Sequence, residues 1–431
     1  MLERIFKLKS GHTTVRTELL AGLTTFLTMS YIIFINPAIL SQAGMDKGAV
    51  FVATCLAAAF GSALMGLLAN YPIALAPGMA LNTYFTYSVV LGSGYSWQVA
   101  LGAVFISGLI FLCLSIFPVR EYIINSIPKS LKVAIVAGIG LFLGIIGFKS
   151  AGIITGSQAT LVTLGNLHQP TTLLAILGFL LIIGMDALGV TASIIISILI
   201  VTFLGIVLGY GKFNGIFSMP PSLVPTLMQM DIRGAFNLGL ATIVFAFLFV
   251  DLFDNTGTLI GIAYRAGFIN QEGKLPRIGR VLLADSLAAI ASAILGTSTT
   301  TSYLESTVGV KTGGRTGLMA LVVAVLFLLA LFLSPLAESI PVYATAPALV
   351  YVACLMAHAF ADIDWKDPTE YAPAVITAIS MPLTFSIADG ISFGFITYTA
   401  VKLLAGRFRD LNLAIVLLTI AFLLKFMFIS H

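Results

Sequence analysis

The sequence predicts an all-α polytopic membrane protein made of two seven-span halves of opposite orientation, followed by one further apolar run. Three observations predict it. The 431 residues are 59% hydrophobic and only 9% charged, with a mean hydropathy of +1.06, and a soluble domain of this length cannot hide that much apolar area. The apolar runs recur at the ~20-residue length that crosses a bilayer. Finally, the second half echoes the first in order.

The runs fall at 18–40, 48–69, 73–92, 98–118, 130–149, 171–186 and 188–210, then 236–263, 280–297, 300–310, 316–335, 342–360, 371–387 and 389–405, and last 411–429. The first exceeds a signal-peptide core and lacks a small-residue cleavage pattern, so it is expected to be a retained helix. Spans 3 and 10 make poor full helices. Span 3 contains Ala76-Pro77-Gly78, and span 10 is the polar string Thr297 to Gly309. Proline and glycine break the helical ladder, while a Thr/Ser-rich run favours extended chain. Broken backbone at membrane depth is tolerated only where it lines a cavity.

Basic residues set the orientation. Arg4, Lys7, Lys9 and Arg16 precede span 1; Arg120, Lys129 and Lys132 follow span 4; Arg265, Lys274, Arg277 and Arg280 follow span 8; Lys311 and Arg315 follow span 10. All these loops fall on the N-terminal side, so the N-terminus is expected in the cytoplasm of a multi-pass cell-membrane protein. The acidic loop 361–370 falls there too, and acids contribute little to topology. Basic residues confined between apolar runs argue against nucleic-acid binding. Cys55, Cys113 and Cys354 lie in apolar runs and are expected to be packing residues with no disulfide.

Ala53 to Ala58 with Ser62 to Gly66 is echoed by Ala284 to Ala289 with Ser292 to Gly296, each in the second span of its half and leading into a broken span. An odd number of spans per half inverts the second copy, the arrangement in which transporters hold substrate at the midplane between discontinuous helices. Asp186 and Asp389 each sit where the last two spans of a half join, and an N-cap at a tight turn is the favoured role for both.

Function is expected to lie in span 8 and the two breaks. Asp251, Asp254, Asn255 and Thr258 share one face of a helix whose other face is apolar. A carboxylate in hydrocarbon costs roughly 2.5–3.5 kcal/mol on insertion scales, so it faces a cavity, a partner or a proton. Helix–helix hydrogen bonding is the competing explanation. Glu305 lies within broken span 10 beside Ser302, and broken span 3 holds Asn82 and Thr83. If the breaks meet, these groups form one polar chamber suited to a flat, neutral, hydrogen-bonding ring. Tyr84, Phe85, Phe249 and Phe253 are placed either to stack on such a ring or simply to pack. No Arg or Lys falls within the expected chamber, so a strongly charged ligand fits less well.

Desolvation favours the neutral form of a carboxyl group, so a buried acid can load and release a proton. Proton symport with Glu305 or Asp251 as carrier is therefore expected; sodium on the same oxygen ligands is left open. No resident cofactor or metal site is expected. His12, His168 and His431 lie in loops or tails, and His358 at a span end is expected to cap or to sit at the interface. An intramembrane aspartyl protease would need two acids on paired helices in a Gly-x-Gly-Asp context, and the chain has only Ile387-Ala-Asp389-Gly. No enzyme is expected.

Four strings, in order, carry a family resemblance: Arg16 to Met29 (RTELLAGLTTFLTM), Asn70 to Asn82 (NYPIALAPGMALN), Phe249 to Thr258 (FVDLFDNTGT), and Gly296 to Ser306 (GTSTTTSYLES) with Gly313 to Gly317 (GGRTG). The chain resembles the AzgA-like purine permeases, the hypoxanthine/guanine and adenine branch of the nucleobase–cation symporter-2 family. The resemblance implies a core domain (18–118 and 236–335) that carries substrate against a gate domain (130–210 and 342–405) by an elevator-type movement. It also implies short strands in spans 3 and 10 and pairing of two copies through the gate. Asp251 and Glu305 would bind a purine base, guanine or hypoxanthine ahead of adenine, with Asp254 and Asn82 in support and a proton as the coupled ion. Uracil or xanthine transport and anion exchange are the alternatives on the same fold, and an anion exchanger would carry a basic or neutral residue at Glu305. Asn255 stands where the family string has threonine, and 411–429 lies beyond a fourteen-span plan.

Overall fold

The computed structural model describes residues 2–9, 11–116, 127–157, 160–236, 243–252, 255, 258–259, 262, 268 and 276–428. Asp254 and Phe253, both singled out above, lie outside these residues. Among the described residues nine helices are long and apolar enough to cross a membrane. Span 1 is two helices, Val15–Met29 and Ile32–Leu40, meeting at Ser30 and Tyr31. Across the junction Ile33 N–H donates to the Ser30 carbonyl (3.1 Å) and Ile35 N–H to the Tyr31 carbonyl (3.0 Å), while Pro37 lies inside the second helix.

The two breaks pair with each other. Strand Leu75–Pro77 runs antiparallel to strand Thr300–Ser302, with Leu75 opposite Ser302, Ala76 opposite Thr301 and Pro77 opposite Thr300. Helix Met79–Thr83 follows the first strand and helix Ser306–Lys311 the second. Chain at this depth has no water to bond to, so its polar groups must find one another. Gly78 N–H donates to the Thr299 carbonyl at 3.0 Å and Tyr303 N–H to Ala74 at 2.9 Å. The Tyr303 hydroxyl reaches the Pro77 carbonyl at 2.7 Å, and Ser62 Oγ both donates to the Leu75 carbonyl (3.0 Å) and accepts from the Leu75 N–H (2.9 Å). Helices Lys47–Leu64 and Ile278–Leu295, which carry the echoed strings, pack together beside this strand pair.

Two sets of mutually packed helices surround the breaks. In one, Gly317–Ala330 lies on Val15–Met29 and Lys47–Leu64, and Ile278–Leu295 on Trp97–Ile116. The approach there is close enough that a Cβ on Gly317 would fall 2.0 Å from the Gly66 carbonyl oxygen. In the other, Lys129–Ser150 lies against Val342–Ala357 and Pro368–Thr384, and Val342–Ala357 against Pro170–Ala187. Glu18 is fully buried, its carboxylate accepting from the N–H groups of Arg315 (2.8 Å), Thr316 (3.2 Å) and Met319 (3.1 Å) at the start of Gly317–Ala330.

Several details differ from expectation. Asp186 lies in the last turn of Pro170–Ala187, and Asp389 is the third residue of Ile387–Leu404, whose cap is Ser386: its hydroxyl accepts from Asp389 N–H at 3.1 Å. Neither aspartate is an N-cap, because the turns fall a few residues to the side of both. Part of the loop 150–170 is a hairpin, Ile154–Ser157 paired with Leu161–Leu164. Two acids of loop 361–370 are held by cations. Glu370 meets Lys402 at 2.6 Å, Asp367 meets Arg407, and Lys402 also reaches Asp410 at 2.8 Å. The run beyond span 14 is the helix Leu413–Phe428, antiparallel to Ile387–Leu404, with Thr399 on Thr419 (2.7 Å) and the Phe395 and Phe422 rings 5.6 Å apart. It therefore ends on the opposite side from the Glu370–Lys402 cluster.

Candidate functional site

A cavity of about 450 Å³ lies between the two helix sets, against the strand pair. Its walls differ in character. One is polar, made by Tyr31, Thr258, Thr301, Ser302, Tyr303 and Glu305; the facing one is apolar, made by Val133, Val136, Leu143, Val352, Leu355 and Met356. Lys132, His358 and Asp362 stand at its mouth, where His358 and Asp362 are exposed.

Glu305 precedes helix Ser306–Lys311, so the break in span 10 turns its side chain into the cavity. The fully buried Tyr31 donates its hydroxyl to Glu305 Oε1. The interruption of span 1 leaves Tyr31 at the junction of its two helices. Ser302 lines the cavity from the strand, and its hydroxyl has no partner among the described residues. Thr258 lines it from span 8.

The other expected residues stand behind this wall. Asp251 is 2% exposed on the helix Ile243–Leu252. One turn before it, Phe247 meets the rings of Tyr84 and Phe85 at 5.0 and 6.5 Å. Helical spacing puts Phe247 and Asp251 on one stripe of that helix, with Asp251 one turn beyond the Tyr84 contact. Phe85, fully buried against Phe247, packs and does not face the cavity. Thr83 Oγ1 donates to the Met79 carbonyl at 2.6 Å. Asn82 is fully buried; its Oδ1 accepts from Ser298 Oγ, while its amide nitrogen has no partner among the described residues. Both side-chain amide atoms of the fully buried Asn255 are likewise unpaired among the described residues. Buried polar groups are normally satisfied, so these amides form a reserve of unmet hydrogen bonds beside the breaks.

Three features escaped the sequence. Tyr31 is one tyrosine in an apolar run, and its partner is 274 residues away. Lys132 and His358 line the mouth, so a lysine does belong to the chamber, and His358 is a cavity residue. Asn36 was also missed: its Nδ2 bridges Thr54 (2.7 Å) and Thr297 (2.8 Å), tying spans 1 and 2 to the second break. Its signal was an amide one position before Pro37 in an otherwise apolar run.

Comparison with known proteins follows the same lines. The model of the Permease family matches residues 16–393. The chain is 50% identical over 430 residues to the adenine permease AdeP of Escherichia coli (strain K12), covering 100% of this chain and 97% of the relative. It is 45% identical over 441 residues to the guanine/hypoxanthine permease PbuG of Bacillus subtilis (strain 168), covering 100% of both. Among solved structures, the transmembrane domain of the cyanobacterial bicarbonate transporter BicA superposes with a TM-score of 0.65 at 18% identity, covering 88% of this chain and 96% of that one. SLC26A9 superposes with a TM-score of 0.64 at 12% identity, covering 90% and 65%. The helical architecture with short paired strands is thus a known transporter fold, and the chain belongs to the Permease family.

Proposed function

We propose that this permease imports purine nucleobases by proton symport, carrying them in the cavity between the strand pair and the apolar wall. The observation that carries the reading is the two-faced cavity. A flat base has a polar edge and two apolar faces, and Glu305, Ser302 and Thr258 meet the edge while Val136, Leu143, Val352 and Met356 cover a face. Glu305 accepts a ring N–H, and its hydrogen bond from Tyr31 fixes its orientation. Asp251, one row behind, is the second acid through which a proton is exchanged. Asp254 and Asn82 support the pocket.

The polar wall belongs to the core (18–118 and 236–335), and the apolar wall to the gate (130–210 and 342–405). The core then moves past the gate with the base attached. With the N-terminus cytoplasmic, the mouth at Lys132 and His358 opens inward, in a cell membrane. The exposed apolar faces of the gate, such as Leu180 and Phe203, meet lipid or a second copy. The relatives' names divide between adenine and guanine/hypoxanthine, and a 6-amino and a 6-oxo group differ by one reversal of donor and acceptor. Anion exchange is disfavoured by the acid in the cavity.

Uptake of labelled adenine and labelled hypoxanthine, in cells lacking their own purine carriers, tests the proposal. Each base is competed with guanine, xanthine and uracil, with and without a protonophore. Saturable uptake that collapses with the proton gradient is expected. Uptake of neither base, or uptake indifferent to the protonophore but dependent on sodium, defeats the substrate or the coupling claim respectively.

A further inference from the structure

Two parts of the chain are unused so far: the carboxylate of Asp389, and the helix beyond span 14. The structure joins them. Leu413–Phe428 carries a single charged residue, Lys425, whose Nζ lies 2.5 Å from Asp389 Oδ1, the two side chains being 11% and 10% exposed. Asp389 is not occupied with capping, since Ser386 does that. A lysine within an apolar helix is costly unless it is paired.

The helix is also held along its length and touches both the last span of the gate and span 8 of the core. Thr419 bonds Thr399, and Phe422 meets Phe395 at 5.6 Å on one side and Phe245 of span 8 at 5.7 Å on the other. Asp389 itself stands where the gate approaches broken span 3. Tyr84 is within its electrostatic reach, and Ser88, one turn on, donates to the Phe385 carbonyl at 2.5 Å.

We propose that Lys425 is a resident counter-cation for Asp389, filling the place a proton or sodium ion would otherwise take, and that the C-terminal helix is thereby a working part of the transporter. The inference rests on the cation-coupled transport proposed above. It leaves the proton to the acids of the cavity, because Lys425 already occupies the place beside Asp389.

Among the described residues, Lys425 from the C-terminal helix pairs with Asp389, and Tyr84 from span 3 lies within its electrostatic reach. Helix Pro368–Thr384 carries Glu370 and Tyr371 at its other end, and the loop after Ile387–Leu404 carries Arg407, Arg409 and Asp410 there too. Helix Lys129–Ser150 carries Lys129 and Lys132 at that same far end. Its Lys149 lies two turns, about 10 Å, beyond the Phe142 that meets Phe385.

The test measures purine uptake by full-length wild type, K425R, K425Q, D389N and D389N/K425Q at matched membrane amounts, with external sodium and pH varied. K425R should stay within about threefold of wild type, and K425Q should fall by more than about tenfold at neutral pH without sodium, since one buried charge is left alone. The lost uptake of K425Q should return as external pH falls or sodium rises, because the orphaned carboxylate then takes a proton or a hard cation. A helix that merely packs would not create that dependence. D389N/K425Q should recover to within about threefold and show no new ion dependence.

Unchanged uptake in K425Q, or a double variant no better than the single ones, overturns the proposal. If K425Q does not reach the membrane, the double variant decides alone, recovery supporting and loss overturning. Wild type separates the two claims: no purine uptake by wild type sinks the transport reading, whereas normal wild-type uptake with an indifferent K425Q sinks only this one.

Discussion

Replacing Tyr31 by phenylalanine removes one oxygen and leaves the packing alone. The ring is fully buried and stays so, but Glu305 loses the hydroxyl that donates to it. A hydrogen bond to a charged group contributes about 1.5–3 kcal/mol, which corresponds to roughly 10- to 150-fold at ~1.4 kcal/mol per tenfold. Initial uptake at low purine concentration should fall by that factor in Y31F. With Glu305→Gln already in place the carboxylate is gone, and a neutral hydrogen bond is worth only about 0.5–1.5 kcal/mol. Adding Y31F there should cost roughly 2- to 13-fold. The assay is a double-mutant cycle on equilibrium binding of labelled base to membranes, with uptake in parallel. Binding keeps the cycle measurable where Glu305→Gln abolishes accumulation. If the two losses multiply as independent effects, Tyr31 does not act through Glu305 and the site as described is wrong.

Three further outcomes follow from single contacts. Glu18→Ala orphans three backbone N–H groups at a buried helix start, each costing about 1–3 kcal/mol. The melting temperature in detergent should drop by at least about 5 °C, with Glu18→Gln intermediate. Asp367, outside the membrane, is held at about 2 by hydrogen bonds from Arg407 and Thr369, against an ordinary value of 3.8. Its folded value is depressed, so its stabilisation is present above the ordinary value and is lost as pH falls through the folded one. The melting-temperature gap between wild type and Asp367→Asn should stay flat from neutral pH to about pH 5 and close toward about pH 2. Val136→Trp places an indole in the apolar wall. Overfilling that wall should cut uptake at least about tenfold with little change in melting temperature, as a cavity can take volume that a packed core cannot.

How much of this was legible in advance depends on the range over which each signal acts. Spans are legible because apolar runs contrast with their surroundings over twenty residues. The breaks are legible because Pro77-Gly78 and Thr297 to Ser302 oppose the helix locally. Even the pairing of strand Leu75–Pro77 with Thr300–Ser302 was foreshadowed, since both strings occupy the same place in their halves. Tyr31, Lys132 and His358 are different. Each reaches the cavity through tertiary placement, and nothing in the neighbouring residues marks one tyrosine or one span-end histidine as special. Asp389 and Lys425 were both visible as charges, 36 residues apart, yet their meeting depends on Leu413–Phe428 folding back antiparallel. Asp251 and Asn255 were legible as a polar stripe, but a stripe fixes only a face. It could not tell that Thr258 reaches the wall while Asp251 stays one row behind.

The distribution of hydrogen bonds favours movement of the polar wall as one piece. Tyr31 to Glu305, Asn82 to Ser298, Gly78 to Thr299 and Tyr303 to Pro77 all join spans 1, 3 and 10 to one another, and none reaches the apolar wall. Sliding that unit along valine, leucine and methionine breaks no bond within the site and exchanges one apolar contact for another. Among the described residues, one bond that does cross is Ser88 to the Phe385 carbonyl, at the end away from the mouth. Phe385 holds a left-handed conformation (φ 50°) between two helices, so its carbonyl is outside any helical ladder and free to accept. On the proposed reading, opening to the other side costs this hydrogen bond, about 0.5–1.5 kcal/mol, and the contact of the Phe245 ring with Phe422 on the C-terminal helix. A cost of that size allows both orientations to be populated, and it falls on the gate's turn and the C-terminal helix and not on the residues that hold the base.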